Sequence, residues 1–166
     1  MLKHILILSF FFVVTPIMAA GSGSSSSGSS GLTRAERTYN QGVELMRNGQ
    51  FNKAEKKFRR AIEREEMWAQ AHNNLAYTLR KQGEDNYFQA LYHYNKAIEL
   101  APDLPEPYMY RGVLYVQMQK SDFALRDLET LRELSPSLAT ELEYVIAQGR
   151  EKTPEQFFGV SAKVEQ

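Results

Sequence analysis

The 166-residue chain contains no cysteine. This absence excludes disulfide bonds, thiolate metal sites, thiol catalysis and attachment of a lipid to an N-terminal cysteine. An excess of charge is also missing, because twenty Lys and Arg residues balance twenty Asp and Glu residues. The chain therefore carries no electrostatic signature for binding nucleic acid or an acidic membrane surface, and its stability must come from packing.

Histidine is scarce, and its three positions do not indicate a catalytic or metal site. His4 lies in the N-terminal leader, and His72 takes a position where a packing residue is expected. His93 has no second histidine or carboxylate at a spacing that would form a metal pair on one helix. We therefore expect no enzyme activity, no metal and no cofactor, and a hydrolase or transferase is the least favoured reading.

Long hydrophobic runs are confined to the first twenty residues, MLKHILILSFFFVVTPIMAA. A positive start, a short apolar core and small residues around position 20 are typical of a secretory signal peptide. We predict a signal peptide at residues 1–21, cleaved between residues 19 and 23, with an uncleaved membrane anchor as the alternative. A flexible linker should follow at residues 22–34, because GSGSSSSGSSG has no apolar side chain to bury. The expected location is the periplasm, with secretion as a further alternative.

A helical spacing recurs along the rest of the chain at intervals of about 34 to 36 residues. In the stretch NGQFNKAEKKFRRAI, Ala54, Phe58 and Ala61 have the spacing of one helix face. The same spacing returns twice: Ala90, Tyr94 and Ala97, then Ala124, Leu128 and Leu131. A period of this length that is carried by paired helices indicates a solenoid of helical hairpins.

With these residues the sequence resembles the tetratricopeptide repeat (TPR) family over about residues 35 to 138. Three units fit the family motif: Gly42, Leu45, Gly49, Phe51, Ala54, Phe58 and Ala61; Leu75, Ala76, Leu79, Gly83, Ala90, Tyr94, Ala97 and Pro102; Tyr108, Gly112, Tyr115, Ala124, Leu128 and Pro136. In the third unit Gln119 replaces the turn glycine, and the second turn is two residues longer. The resemblance implies an all-α fold, a right-handed TPR-type solenoid.

The small residues of the motif have a packing role. Gly42, Ala76 and Gly112 are expected to let the partner helix of each hairpin approach closely, and Gly49 and Gly83 to supply the positive backbone angle of the turn. Large residues one turn after the alanines, such as Phe58, should fill the space between units.

A stack of repeats must end in a cap, because its last unit exposes an apolar face. Leu142, Val145 and Ile146 have helical spacing and predict a C-terminal capping helix. The predicted TPR domain occupies residues 35–149, and a C-terminal tail follows at 150–166. Within the domain the predicted segments are repeats at 35–68, 69–104 and 105–138 and the cap at 139–149. For Phe157 and Phe158 in the tail we favour disorder with transient packing over a docking motif.

The resemblance also implies that the first helix of each hairpin lines a concave ligand groove. The family pattern places twelve side chains there: Tyr39, Asn40, Val43, Arg47, Asn73, Asn74, Tyr77, Arg80, Met109, Tyr110, Val113 and Gln117. Aromatic rings could cover the side chains of an extended peptide, while asparagines bond its backbone. Some relatives grip a chaperone's C-terminal carboxylates, but only Asn74 agrees with that set and Glu106 opposes it.

Together these patterns predict a non-catalytic protein–protein interaction adaptor that binds a peptide or protein segment in the groove. We expect it to aid assembly of a complex in the cell envelope. The alternatives are a self-assembling structural scaffold, or an accessory factor of an export, pilus or cytochrome-maturation machine. Nucleic acid is not an expected partner, and neither is a membrane beyond a retained leader. The partner's identity and the oligomeric state stay open.

Overall fold

A computed structural model describes residues 31–151 of the chain, and this range contains α-helices and no strand. The helices are α1 Arg34–Arg47, α2 Phe51–Ile62, α3 Ala69–Lys81, α4 Tyr87–Leu100, α5 Pro105–Gln117, α6 Ser121–Leu134 and α7 Pro136–Gln148. The predicted signal peptide, most of the predicted linker and the tail residues Phe157 and Phe158 lie outside the described residues.

The helices form three hairpins in series, α1–α2, α3–α4 and α5–α6, followed by the single helix α7. Each second helix also contacts the first helix of the next hairpin, and α7 packs against both α5 and α6. This architecture confirms the predicted all-α stack of three helical hairpins closed by a C-terminal helix. The closing helix begins at Pro136, three residues before the predicted start of the cap.

Local sequence signals explain where the helices begin and end. Thr33 caps α1, because its hydroxyl accepts a hydrogen bond from the Glu36 N–H at 3.1 Å. The Glu36 carboxylate in turn accepts a hydrogen bond from the Thr33 N–H, which completes a capping box. Pro105 and Pro136 occupy the first turns of α5 and α7, where the missing N–H of proline costs nothing.

The turn within each hairpin requires a positive φ angle. Gly49 and Gly83 have φ angles of 70° and 115°, as predicted. Gln119 adopts φ 58° at the equivalent place in the third hairpin, so the backbone there keeps the turn geometry without a glycine. The two additional residues of the second hairpin are absorbed in a short 3-10 turn, Glu84–Asn86.

The core confirms the predicted packing of small against large residues. Ala54 and Ala90 are fully buried, and so are Phe58 and Tyr94 one turn later. A Cβ atom added at Gly42 would lie 2.7 Å from the ring of Phe58, so this glycine is what lets α1 and α2 approach.

Gly112 also makes room for a helix outside its own hairpin. The atoms nearest to a Cβ added there belong to Leu142 of α7, the closest at 2.5 Å. This contact with the closing helix was not predicted. The closing helix uses this space, because Leu142 is fully buried and presses directly onto α5.

His72 and His93 meet between α3 and α4, a pair that no sequence pattern predicted. Their Nδ1 atoms are 3.0 Å apart, and His72 Nε2 is 3.1 Å from the carbonyl oxygen of Glu66. Since a carbonyl oxygen can only accept, His72 Nε2 carries the proton and His72 Nδ1 accepts from His93. Burial lowers the pKa of both imidazoles, and the neighbouring His72 and Arg59 assist in lowering that of His93 to about 4.

Within residues 31–151 no three metal-ligating side chains come together. None of the helices in this range combines the length and the apolar character that crossing a bilayer requires.

Replacing Gly42 with alanine should lower the free energy of unfolding by about 1–2 kcal/mol. The added methyl group meets the buried Phe58 ring, and overpacking of this kind costs about 1–3 kcal/mol, while alanine returns up to about 1 kcal/mol in helix propensity. Urea denaturation followed by circular dichroism measures the difference. Gln70→Ala, at an exposed position of α3, is the matched control and should be neutral or slightly stabilising. A Gly42→Ala variant as stable as this control would contradict the packing argument.

Acidification from pH 6.5 towards pH 4 should destabilise the fold. His93 titrates near 6.5 when unfolded but near 4 when folded, so in this window the unfolded state binds more protons and stability falls as the pH falls. The expected loss is on the order of 2 kcal/mol. Urea denaturation at stepped pH should give a shallower slope for His93→Gln than for the wild type. Identical slopes would show that His93 is not held neutral by the fold.

Candidate functional site

The first helices of the hairpins, α1, α3 and α5, lie on one side of the stack, which we call the inner face. The helix α3 contacts both α1 and α5, whereas among the described helices α2, α4 and α6 make no contact with one another. Because the first helices converge and the second helices spread apart, the stack curves and its inner face is the concave one.

Most of the twelve side chains predicted to bind a ligand are buried in this structure. The eight buried ones are Tyr39, Val43, Asn73, Asn74, Arg80, Met109, Tyr110 and Val113. The four that reach the surface are Asn40 and Tyr77, which are partly exposed, and Arg47 and Gln117, which are exposed. The eight buried side chains therefore support the inner face from beneath, and the four accessible ones offer the surface for contact.

The buried asparagines are engaged inside the protein. Asn74 donates a hydrogen bond to the hydroxyl of Tyr39 at 2.9 Å, and Asn73 donates to the side-chain oxygen of Asn74 at 3.3 Å. The Tyr39 ring packs on Trp68 with their centroids 4.5 Å apart, and burial raises the pKa of Tyr39. This arrangement joins α1 to α3, so the amide groups of Asn73 and Asn74 hold the inner face together.

Arg80 forms the strongest polar contact of the inner face. Its side chain has no exposed surface, yet it holds the carboxylate of Glu151, which lies just beyond α7. Two parallel hydrogen bonds of 2.8 and 2.9 Å join the guanidinium to the two carboxylate oxygens. Gln117 of α5 accepts a third bond from Arg80 at 3.2 Å. The pair thus ties α3, α5 and the end of the described chain together.

The surroundings of this pair favour a negative charge. Burial alone would raise the pKa of Glu151, but the hydrogen bonds and charge of Arg80, together with Lys81, outweigh it and lower that pKa. The ammonium of Lys81 lies 3.6 Å from Glu151, and the Arg80 guanidinium lies 5.3 Å from the centre of the Tyr77 ring. A bidentate, desolvated contact of this kind is the geometry that arginine uses to recognise carboxylates.

Charge is distributed unevenly along the inner face. Arg47, Arg80 and Lys81 lie in the last turns of α1 and α3, whereas Glu36 and Glu106 lie in the first turns of α1 and α5. Because the cations stand at the negative ends of the helix dipoles, the helices themselves favour this arrangement. The inner face therefore has a basic end, and Glu151 is bound at that end.

Glu151 is the residue of the candidate site that sequence reasoning missed. It lay in the predicted tail, where a single glutamate among charged residues carries no local signal. Its partner Arg80 was predicted to face the groove, and the structure places that guanidinium against the carboxylate of a residue 71 positions away.

The turns between paired helices form a second kind of surface. An open cleft of about 530 Å³ lies between the first turn, Gly49–Lys53, and the residues Gln82 and Asn86 of the second. On α4, Phe88 and Tyr92 are exposed one turn apart, at 74% and 63% of their full accessibility, and Phe88 lines a second cleft with Gln117 at the end of α5. Neither surface includes a cluster of catalytic groups among the described residues.

The comparisons with known proteins agree with this geometry. Residues 85–119, which span the whole of α4 and α5, match the family model described as TPR repeat. None of the curated proteins is similar enough to this chain to count as a match.

Three solved structures illustrate the likeness. The first TPR domain of Spaghetti (RPAP3), bound to the HSP90 peptide SRMEEVD, has a TM-score of 0.63 and 22% identity, covering 69% of this chain and 90% of that chain. The TPR2B domain of yeast Sti1, in a complex with pHsp70, has a TM-score of 0.63 and 24% identity, with coverages of 70% and 98%. The Yersinia enterocolitica chaperone SycD, with a peptide of the translocator YopD, has a TM-score of 0.62 and 15% identity, with coverages of 69% and 90%.

At these identities the likeness concerns the fold. Residues 85–119 match a tetratricopeptide repeat, and the described helices share the fold of tetratricopeptide-repeat domains.

Proposed function

We propose that the protein is a non-catalytic adaptor whose inner face binds an extended, acidic segment of another protein. One observation carries this proposal: the buried guanidinium of Arg80 binds the carboxylate of Glu151, which approaches the inner face from a distant part of the chain. A surface that binds one acidic segment in this geometry has the chemistry to bind another.

The accessible side chains fit the same class of ligand. Arg47 supplies an exposed charge next to the basic end, while Asn40 and Gln117 supply amide groups for the backbone of an extended chain. Tyr77 offers part of its ring for an apolar side chain. A contact of this size and polarity commonly corresponds to micromolar affinity, because the ordering of the bound segment opposes the gain from contacts.

The comparison structures support the proposal at the level of the fold. The RPAP3 and SycD domains are each described with a bound peptide, and the Sti1 domain with pHsp70. Those proteins are less than 25% identical to this chain. Their likeness therefore supports only the general use of this fold for binding polypeptide segments.

We extend the proposal to the cell envelope, where the adaptor would help a protein complex to assemble. The support is the sequence of residues 1–20, with its positive start, apolar core and small residues. Mass spectrometry of the protein recovered from the periplasmic fraction of its host should show an N-terminus between residues 20 and 23. An intact Met1 on a protein found with the cytoplasm would contradict the export proposal, and an intact Met1 in the membrane fraction would support the anchored alternative.

Binding should depend on the inner face and not on the outer one. A ligand is first selected from displayed random peptides on the immobilised full chain, and its affinity is then measured by fluorescence anisotropy. The variant Arg47→Ala should bind about tenfold more weakly, because it removes a charge from an accessible surface without opening the core. The Arg47 side chain is exposed, so the fold should survive.

The matched control for this measurement is the variant Tyr92→Ala, which removes an exposed aromatic side chain of the second helix α4. We expect its affinity to stay within about twofold of the wild type. If the control weakens binding and the inner-face variant does not, the proposed site is wrong. Selected peptides that lack acidic residues would contradict the proposed ligand chemistry.

A further inference from the structure

We propose that the inner face is occupied by the chain's own C-terminal segment, residues 152–166, until a partner displaces it. This inference rests on the proposed function for its regulatory meaning, since the segment would compete with the partner for the same surface. The contact itself is inferred separately, from the position of Glu151 at the end of the described chain and from the charges of the surface it reaches.

The path of the chain after α7 leads onto the inner face. The helix ends at Gln148, and Gly149 turns the backbone with a left-handed φ angle of 67°. Two residues later Glu151 is hydrogen-bonded to Arg80 on α3, beside Gln117 at the end of α5. The chain therefore crosses from α7 past the end of α5 to α3. The next first helix in that direction is α1.

The length and sequence of the remaining segment suit this path. Packed helices lie about 8–10 Å apart and an extended chain advances about 3.3 Å per residue, so three or four residues lead from one first helix to the next. Glu155 follows Glu151 by four residues, which brings a second carboxylate within reach of Arg47 on α1. Phe157 and Phe158 come directly afterwards.

The chemistry of the accessible surface complements the segment. Arg47 is exposed in the last turn of α1, so its guanidinium is accessible to a carboxylate. Tyr77 is partly exposed beside Arg80, whose guanidinium lies 5.3 Å from the centre of the ring, and it can accept an aromatic side chain. A tethered segment acts at an effective concentration of about millimolar, so even a weak contact would be occupied most of the time.

The proposed self-contact sets a minimum affinity that a partner must exceed. An incoming segment has to bring carboxylates of its own to Arg47 and to Arg80, and it has to bind tightly enough to outcompete the tethered segment. The protein would thereby discriminate against weak or neutral polypeptides, because these cannot replace the carboxylates that the basic end already holds.

The absence of cysteine makes a direct test possible, since one introduced thiol can be labelled selectively. A nitroxide spin label is attached to the full chain at Val160→Cys, and its effect on amide signals is read by nuclear magnetic resonance. We expect signals of Asn40 and Arg47 on α1 to lose most of their intensity, while those of Phe88 and Tyr92 keep theirs. A label at Ser137→Cys, exposed at the start of α7, serves as the control for non-specific broadening.

One variant separates the segment's own contacts from the fold. Glu155→Gln should restore the α1 signals, and it leaves the Arg80–Glu151 pair in place, so its effect cannot come from a damaged core. It should also bind the selected acidic peptide about tenfold more tightly, because the competitor is weakened.

Unchanged α1 signals, or broadening centred on Phe88 and Tyr92, would overturn the proposal. Broadening that appears only when labelled chains are mixed with separate isotope-enriched chains would also overturn it, because the contact would then join two copies. If the α1 signals broaden but no selected peptide binds any variant, the self-contact stands and the proposed adaptor function fails.

Discussion

The burial of one arginine side chain constrains the whole inner face. A guanidinium stays charged under all ordinary conditions, and taking it out of water without a partner would cost several kcal/mol. Arg80 has no exposed side-chain surface, so its charge needs a carboxylate. Among the described residues, Glu151 supplies it. This requirement links α3 to the chain beyond α7, and Gln117 of α5 completes the contact. A site that must hold a carboxylate is thereby built into the stack.

The packing of the helices makes that link possible. Gly42 admits Phe58 within the first hairpin, while Gly112 admits Leu142 of the closing helix. Because α7 rests directly on α5, its C-terminal end lies beside the ends of the first helices, and the short turn at Gly149 is enough to bring the chain to Arg80. The closing helix therefore does more than cover an apolar face. It brings Glu151 to the surface on which the proposed ligand binds.

The repeating part of the fold could be predicted from the sequence because its signals are local. Ala54 and Phe58 lie one turn apart, and their spacing recurs with a fixed period, so short stretches specify each hairpin. The site could be predicted only in part. The family pattern indicates which positions face the groove but not which of them other side chains bury. The hydrogen bond between Asn74 and Tyr39, which are 35 residues apart, could therefore not be predicted. No sequence pattern marks Glu151, because its contact with Arg80 depends on where α7 ends.

The most direct test of this account is a double-mutant cycle on Arg80 and Glu151 in the full chain, measured by guanidinium chloride denaturation. Arg80→Leu and Glu151→Gln are made singly and together, and the free energies of unfolding are compared. The account predicts a coupling energy of about 2 kcal/mol or more, because each single change leaves a buried polar group without its partner. Single changes whose effects add to within about 0.5 kcal/mol would contradict it, since the two groups would then be independent.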